Sequence, residues 1–310
     1  MNRMKRLLLA AAVAASLLGA PLLAPDGRLM AGRSRGFASA VAAALQSDAR
    51  APDPLRVMTY NVRLPLKSDG ADYWENRRDL LVESIRRHSP DLIGTQELYY
   101  IQGQYIVEQL PEYDWFGLSR RGNHEDEHMG VFYRKDRLRP LESGNYWLSE
   151  TPDVPGSMSW GINYSRLVTW ALFEDTRAKR RFFFSNTHFP HRDIDEQARA
   201  NCAQILASRL RARPPDETLI VTGDFNTGVE SRAHAILLEA GLRDSWLDAP
   251  RKDGPAGTFH AFKGIPGAAR IDWILYRGAL TPLLVETVTD NTGGRFPSDH
   301  FPVLAVFEWR

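Results

Sequence analysis

One cysteine, Cys202, stands in 310 residues, so no disulfide can form within the chain and nothing in its fold rests on one. The thiol sits in "EQARANCAQILASRL", a stretch with helical spacing of apolar residues, where a buried structural role fits better than a nucleophilic one. A charge imbalance is also missing. With 39 Lys+Arg against 38 Asp+Glu, the formal net charge is +1. Tight, salt-sensitive binding to nucleic acid comes from an excess of Lys and Arg that displaces counterions, and this composition exerts no such pull. From about Arg56 onward there is no internal repeat and no low-complexity gap, which excludes a repeat architecture and leaves one large domain.

Long apolar runs are lacking as well, with one exception. Arg3, Lys5 and Arg6 precede "LLLAAAVAASLLGAPLLA" (7–24), a basic segment followed by an apolar one, the pattern of a secretory signal. A spanning helix needs about 20 apolar residues, but Pro21 and the bias to small residues favour cleavage. The expectation is therefore a signal peptide over 1–24, cut as late as Ala40 in "ASA", and a protein that is exported, periplasmic or secreted, with no stable membrane anchor afterwards. Residues 25–54, rich in Ala, Arg, Ser and Gly, read as a linker, and 55–310 as the folded domain.

What is present is a succession of short apolar runs. "LRVMTYNV", "PDLIGTQE", "HMGVFYR", "LVTWALFE", "RFFFSNTH", "TLIVTGD", "RIDWILY", "LLVETVT" and "FPVLAVFEW" predict strands. "WENRRDLLVESIRRH", roughly 195–211, and "SRAHAILLEAG" stopped by Gly241 predict helices. About ten strands with four helices is too strand-rich for a doubly wound sheet. Two packed sheets flanked by helices fit better.

Several of these strands end in one or two acid/base or amide side chains. Asn61 ends the first and Glu97 the second; His188 ends "RFFFSNTH"; Asp224 and Asn226 close "TLIVTGDFN"; Asp272 opens "DWILY"; Asp299 and His300 precede the last strand. Each alone reads as a turn residue, a cap or a surface carboxylate. Together they suit cleavage of a phosphate ester assisted by a hard divalent cation, because Mg²⁺ prefers oxygen ligands and one or two carboxylates such as Glu97 and Asp299 are enough to hold it. Zinc fits less well, since the histidines lack the H-E-x-x-H spacing. Asn amides and an imidazolium can donate to phosphate oxygens, and a carboxylate can orient the attacking water.

"MTYNVR", "GTQE", "NTH", "TGDFN", "RIDWIL" and "SDHFPV" occur in an order and spacing that resembles the endonuclease/exonuclease/phosphatase superfamily, the DNase I-like fold, over nearly all of 56–310. "GDFN" looks most like the deadenylase and nocturnin-like branch. The resemblance implies a four-layered α/β sandwich, two packed mixed β-sheets flanked by helices, and hydrolysis of phosphodiesters or phosphomonoesters dependent on Mg²⁺ or Mn²⁺. It also implies roles. Glu97 would be the principal metal ligand, with Asn61 and Asp299 close to the metal; Asp224 would orient or deprotonate the water; Asn226 and His188 would contact the phosphate; Asp272 would hold His300 against the transition state.

The expected substrate is a phosphate ester, with nucleic acid preferred, and the expected state a monomer. The alternatives are a phospholipid head group, a sugar or inositol phosphate, and a binding module without catalysis. Three features outside the motifs carry weaker expectations. Arg166, which opens "RLVTWALFE", could meet a phosphate bidentately or form an ordinary ion pair. His124 to His128 in "RRGNHEDEHMG" read as a solvated acidic loop rather than a second metal site, and His191 as a loop residue. Trp147, Trp160 and Trp170 read as packing rather than as a stacking platform for a base or sugar.

Overall fold

The computed structural model describes residues 53–310. The signal and linker expected at 1–24 and 25–54 lie outside the described residues, save for Asp53 and Pro54, and the expectation of export lies there with them.

Thirteen strands follow in chain order among the described residues: β1 (Leu55–Asn61), β2 (Leu92–Gln96), β3 (Tyr113–Phe116), β4 (Val131–Arg134), β5 (Leu138–Trp147), β6 (Leu167–Asp175), β7 (Arg180–His188), β8 (Leu219–Asp224), β9 (Arg243–Asp244), β10 (Arg251–Asp253), β11 (Asp272–Arg277), β12 (Leu280–Thr287) and β13 (Val303–Trp309). They form two mixed sheets, ordered β10-β12-β13-β1-β2-β4-β3 and β5-β6-β7-β8-β11-β9. Five α-helices accompany them: α1 (Trp74–His88), α2 (Tyr100–Gln109), α3 (Glu196–Arg211), α4 (Arg232–Glu239) and α5 (Ser245–Asp248).

Alternation along the central strands assigns their faces. Leu55 and Val57 of β1, Phe182 and Phe184 of β7, Ile220 of β8, Ile274 of β11, and Ala305 and Phe307 of β13 meet in one cluster between the sheets. The residues of opposite parity face helices. Met58, Tyr60, Ile93 and Leu304 pack on Leu81, Val82 and Ile85 of α1 and Ile106 of α2. Phe183, Val221 and Trp273 pack on Cys202, Ala203 and Leu206 of α3 and Ile236 and Leu237 of α4. The result is the expected four layers, helix, sheet, sheet, helix. Cys202 is buried there, and burial pushes its thiol up, away from thiolate chemistry.

Helix ends follow local chemistry. Ser231 accepts from the His234 N–H at the start of α4 at 3.3 Å, and Gly241, at φ +88°, ends the turn after it. Among the described residues no helix is long and apolar enough to cross a membrane.

The expected ten strands and four helices undercount what forms. The unforeseen strands are β3, β5, β9 and β10, and these are the four edges of the two sheets. An edge strand keeps one side and often one face in water, so it lacks the apolar run that marks an interior strand. The unforeseen helix α2, "YIQGQYIVEQ", contains Gly103, which weakens a helical reading. Its glycine is used for contact, because an added Cβ would lie 2.5 Å from the Trp115 ring.

Candidate active site

The alternation that builds the inter-sheet core also builds the site, because each inner face turns polar toward the same end. On β1 it runs Leu55, Val57, Thr59, Asn61; on β7 Phe182, Phe184, Asn186, His188; on β8 Ile220, Thr222, Asp224; on β11, read backwards, Tyr276, Ile274, Asp272. β2 runs parallel to β1 and β13 antiparallel, so the ends of the first two strands share an edge with the start of the third. In the second sheet, register sets His188 opposite Asp224 and Asp224 opposite Asp272. The eight expected residues therefore converge, although up to 239 positions separate them in the chain, as Asn61 and His300 show.

The layer beneath them is a buried amide network. Asn186 Oδ1 accepts from Gln96 Nε2 at 2.7 Å and Thr222 Oγ1 at 3.0 Å, while Asn186 Nδ2 donates to the Thr95 carbonyl at 2.7 Å. Gly94 makes room for it, since an added Cβ would fall on Thr222 Oγ1 and Asn186 Oδ1. This network satisfies polar groups that would otherwise make the sheet interface costly.

Above it opens a cavity of about 730 Å³ whose walls include Glu97, Arg166, His188, Asp224, Asn226, Asp299 and His300. Asn61 and Asp272 lie behind the wall and reach it by hydrogen bonds. Asn61 Nδ2 donates to Glu97 Oε1 at 3.1 Å and Asp224 Oδ2 at 3.0 Å, and its Oδ1 accepts from the Arg63 N–H at 3.0 Å. His300 Nδ1 lies 3.0 Å from Asp272 Oδ2, and its Nε2 lies 3.8 Å from Asp224 Oδ2. Glu97 and Asn226 hold positive φ, 58° and 51°, a conformation that costs a non-glycine residue about 1–3 kcal/mol and recurs where a side chain must be re-aimed at a site.

Electrostatics separates the roles. Burial alone would lower the His300 pKa, but the carboxylates of Asp272 and Asp224 outweigh it and push the imidazole up to about 10, so the ring is a cation and a donor. His188 is the opposite case: burial and the Arg166 and His300 charges hold it well below its ordinary value. Neutral, it accepts at Nε2 from Asn226 Nδ2 at 2.9 Å, which places its proton on Nδ1. Asp224 is pushed up, by burial first and then by Asp272, and burial raises Asp299. A carboxylate of raised proton affinity suits a group that takes a proton from water.

Five polar wall residues were not foreseen as part of the site: Arg63, Asp69, Arg120, Glu127 and Tyr164. Arg63 Nη1 lies 3.9 Å from Glu97 Oε2 and 3.7 Å from Asp299 Oδ2, while its Nη2 is held by Asp69 at 2.8 Å. The segment 124–128 corrects an expectation. Only its first half is the solvated loop expected: His124 and Glu125 are exposed, whereas Asp126, Glu127 and His128 are buried, Glu127 fixed by Arg120 and His128 by the Leu98 carbonyl. Paired acids against Arg120 let an acidic run turn inward. His191 lies in a loop, as expected, and also lines the cavity. The tryptophans pack as expected: Trp147 with Met129 and Leu167, Trp170 stacked on Phe183, Trp160 against the helix-covered core.

Two groupings offer themselves to a cation. Asp224, Asp272 and His300 bring ligand atoms within 4.8 Å of one another, but His300 Nδ1 and Asp272 Oδ2 already engage each other at 3.0 Å. Glu97 and Asp299 fit better. Both converge on the one cationic nitrogen of Arg63 at distances too long for direct hydrogen bonds, and their oxygen chemistry suits Mg²⁺ or Mn²⁺.

Comparison with known proteins agrees with this geometry. Residues 58–300 match the endonuclease/exonuclease/phosphatase family. An uncharacterised protein, L388, of Acanthamoeba polyphaga mimivirus is 31% identical over 163 residues, 50% of this chain and 59% of that protein. Human nocturnin is 24% identical over 83% of this chain and 65% of its own length. The chain thus spans about six tenths of these curated relatives. A solved mannosyl-6-phosphatase of Bacteroides thetaiotaomicron is 32% identical, covering 82% of this chain and all of that one, with a TM-score of 0.78. By the extent of the family match and by its fold, the chain belongs to the endonuclease/exonuclease/phosphatase family.

Proposed function

We propose that this member of a phosphoesterase family hydrolyses a phosphate ester in the edge cavity, with Mg²⁺ or Mn²⁺ held by Glu97 and Asp299 beside Asn61. The observation that carries this reading is the His300–Asp272 pair set against Asp224, with Asn61 tying Asp224 to Glu97. The bound cation would neutralise charge growing on phosphate oxygens. Asp224 orients the attacking water and takes its proton. The His300 imidazolium donates to the oxyanion that forms, and Asp272 fixes the ring. Asn226 and His188 position the phosphate, and Arg166, whose Nε and Nη1 have no partner, supplies a further donor.

A small phosphate ester is the better substrate reading. The cavity wall sets Arg63 against Asp69 and Arg120 against Glu127, which leaves few free cations there to grip a polyanionic strand. The likeness to a mannosyl-6-phosphatase supports the same side. The nucleic-acid diester keeps its support in the "GDFN" motif and the nocturnin likeness. Export is proposed from the pattern of residues 1–24 alone, and fractionation of the producing cell tests it.

Purified protein assayed against an aryl phosphate, an aryl phosphodiester, hexose phosphates, a phospholipid and oligonucleotides tests the activity. Turnover that EDTA abolishes and Mg²⁺ or Mn²⁺ restores is expected. A folded protein inactive on every ester with either metal would refute the proposal.

A further inference from the structure

The cavity has a second wall that the hydrolytic roles leave unused. Arg120 Nη2 lies 3.0 Å from Glu127 Oε1 and 3.0 Å from Asp126 Oδ1, and its guanidinium sits 4.3 Å from the centre of the Tyr164 ring. Held on three sides, Arg120 is a rigid support for Glu127. Arg166, 3% exposed, lines the same wall with Nε and Nη1 lacking any partner. A buried guanidinium with empty donors is costly unless a ligand completes it. The wall therefore offers an acceptor, Glu127, between donors, Arg120 and Arg166.

Donors alone would suit a second phosphate, which only accepts. Glu127 repels one. A hydroxyl group both donates and accepts, so vicinal hydroxyls can give a proton to Glu127 and receive one from a guanidinium at the same time. The Tyr164 ring, engaged by Arg120, is poorly placed to stack a base. The cavity, about 730 Å³, is in the usual range for a small molecule.

Resting on the phosphoesterase reading of this cavity, we infer that Glu127, supported by Arg120, is its specificity determinant and hydrogen-bonds the hydroxyl groups of a small polyhydroxylated phosphate ester such as a hexose phosphate. Arg120 keeps one Glu127 oxygen paired, so a substrate without the hydroxyl leaves the other oxygen without that partner, and discrimination follows by that route.

The test compares kcat/KM of the full protein with Mn²⁺ on a hexose 6-phosphate, a hydroxyl-free aryl phosphate, a nucleoside 5′-monophosphate and a short oligonucleotide, for wild type, Glu127→Ala and Glu127→Gln. The ratio of hexose phosphate to aryl phosphate should fall about tenfold or more in Glu127→Ala, through KM, and less in Glu127→Gln, which keeps shape and one acceptor. Should Glu127→Ala not fold, the ratio in Glu127→Gln decides. An unchanged ratio overturns the inference, as does a wild type that prefers the nucleotide or the oligonucleotide to the hexose phosphate. Turnover of the aryl phosphate in either case leaves the hydrolase reading standing. A wild type inactive on all four esters overturns both.

Discussion

His300 and Asp272 stand 28 positions apart and form a buried pair, Nδ1 to Oδ2 at 3.0 Å, with Asp224 on the far side of the imidazole at 3.8 Å. Both contacts act on a ring that burial alone would keep neutral, and the carboxylates hold it as a cation. Replacing His300 by Gln removes the charged donor while keeping polarity, and kcat should fall about 100- to 1,000-fold, the usual loss for one donor to a developing oxyanion. Asp272→Asn should lose a comparable factor, and the double variant little more than either single one, because the two act as a unit. Steady-state kinetics on an aryl phosphate check this.

On the proposed reading, Glu97 and Asp299 hold the cation. Glu97→Gln keeps the side-chain length and the Asn61 contact but removes a charge, so the Mn²⁺ dissociation constant measured by calorimetry should rise at least about tenfold. Anomalous scattering from Mn²⁺-soaked crystals should show the ion beside Glu97. An ion seated among Asp224, Asp272 and His300 instead would reverse the assignment.

Stability has its own buried charge centre. Asp244 Oδ2 lies 2.7 Å from Arg270 Nη2 and 3.0 Å from His234 Nε2. Burial alone would raise its pKa, but these partners outweigh it and hold the carboxyl below its ordinary 3.8. A depressed carboxyl stabilises the fold above its unfolded pKa and loses that contribution as pH falls through the folded one. Asp244→Asn leaves Arg270 uncompensated and should cost about 3–5 kcal/mol near neutral pH. Denaturant titrations should show that gap narrowing below about pH 4.

Gly94 tests the amide network under the site. Any Cβ there falls on Thr222 Oγ1 and Asn186 Oδ1, which bond each other, and Asn186 Oδ1 also takes the Gln96 bond that joins the sheets. Gly94→Ala should lose about 1–3 kcal/mol by overpacking, seen as a drop of roughly 3–10 °C in Tm. Activity should fall with it, since Gln96 and Thr222 precede Glu97 and Asp224 by one and two residues. Asn186→Leu should destabilise as well, by removing an acceptor from the Gln96 amide and the Thr222 hydroxyl and a donor from the Thr95 carbonyl.

Interior strands were legible in the sequence because both their faces are buried, and each ended within a residue or two of its apolar run. Asn61, Glu97, His188, Asp224 and Asp272 could be found because the polar residue that breaks such a run marks the sheet edge. The edge strands β3, β5, β9 and β10 carry no such contrast. Glu127 and Arg120 were hidden for a different reason: an acidic loop and one that folds its acids against an arginine look alike until tertiary contacts pair them. Arg63 follows Asn61 by two residues, and only its place between Glu97 and Asp299 reveals what it faces.

One substitution tests the central claim most directly. Asp224→Asn is nearly isosteric and keeps an oxygen toward Asn61, so the fold and the metal affinity should persist while the group that takes the proton is lost. With saturating Mn²⁺, turnover of an aryl phosphate should drop at least about 100-fold, the contribution typical of a positioned base, with Tm held or raised as a buried charge is removed. A folded Asp224→Asn protein that hydrolyses the ester at the wild-type rate would contradict catalysis at this cavity.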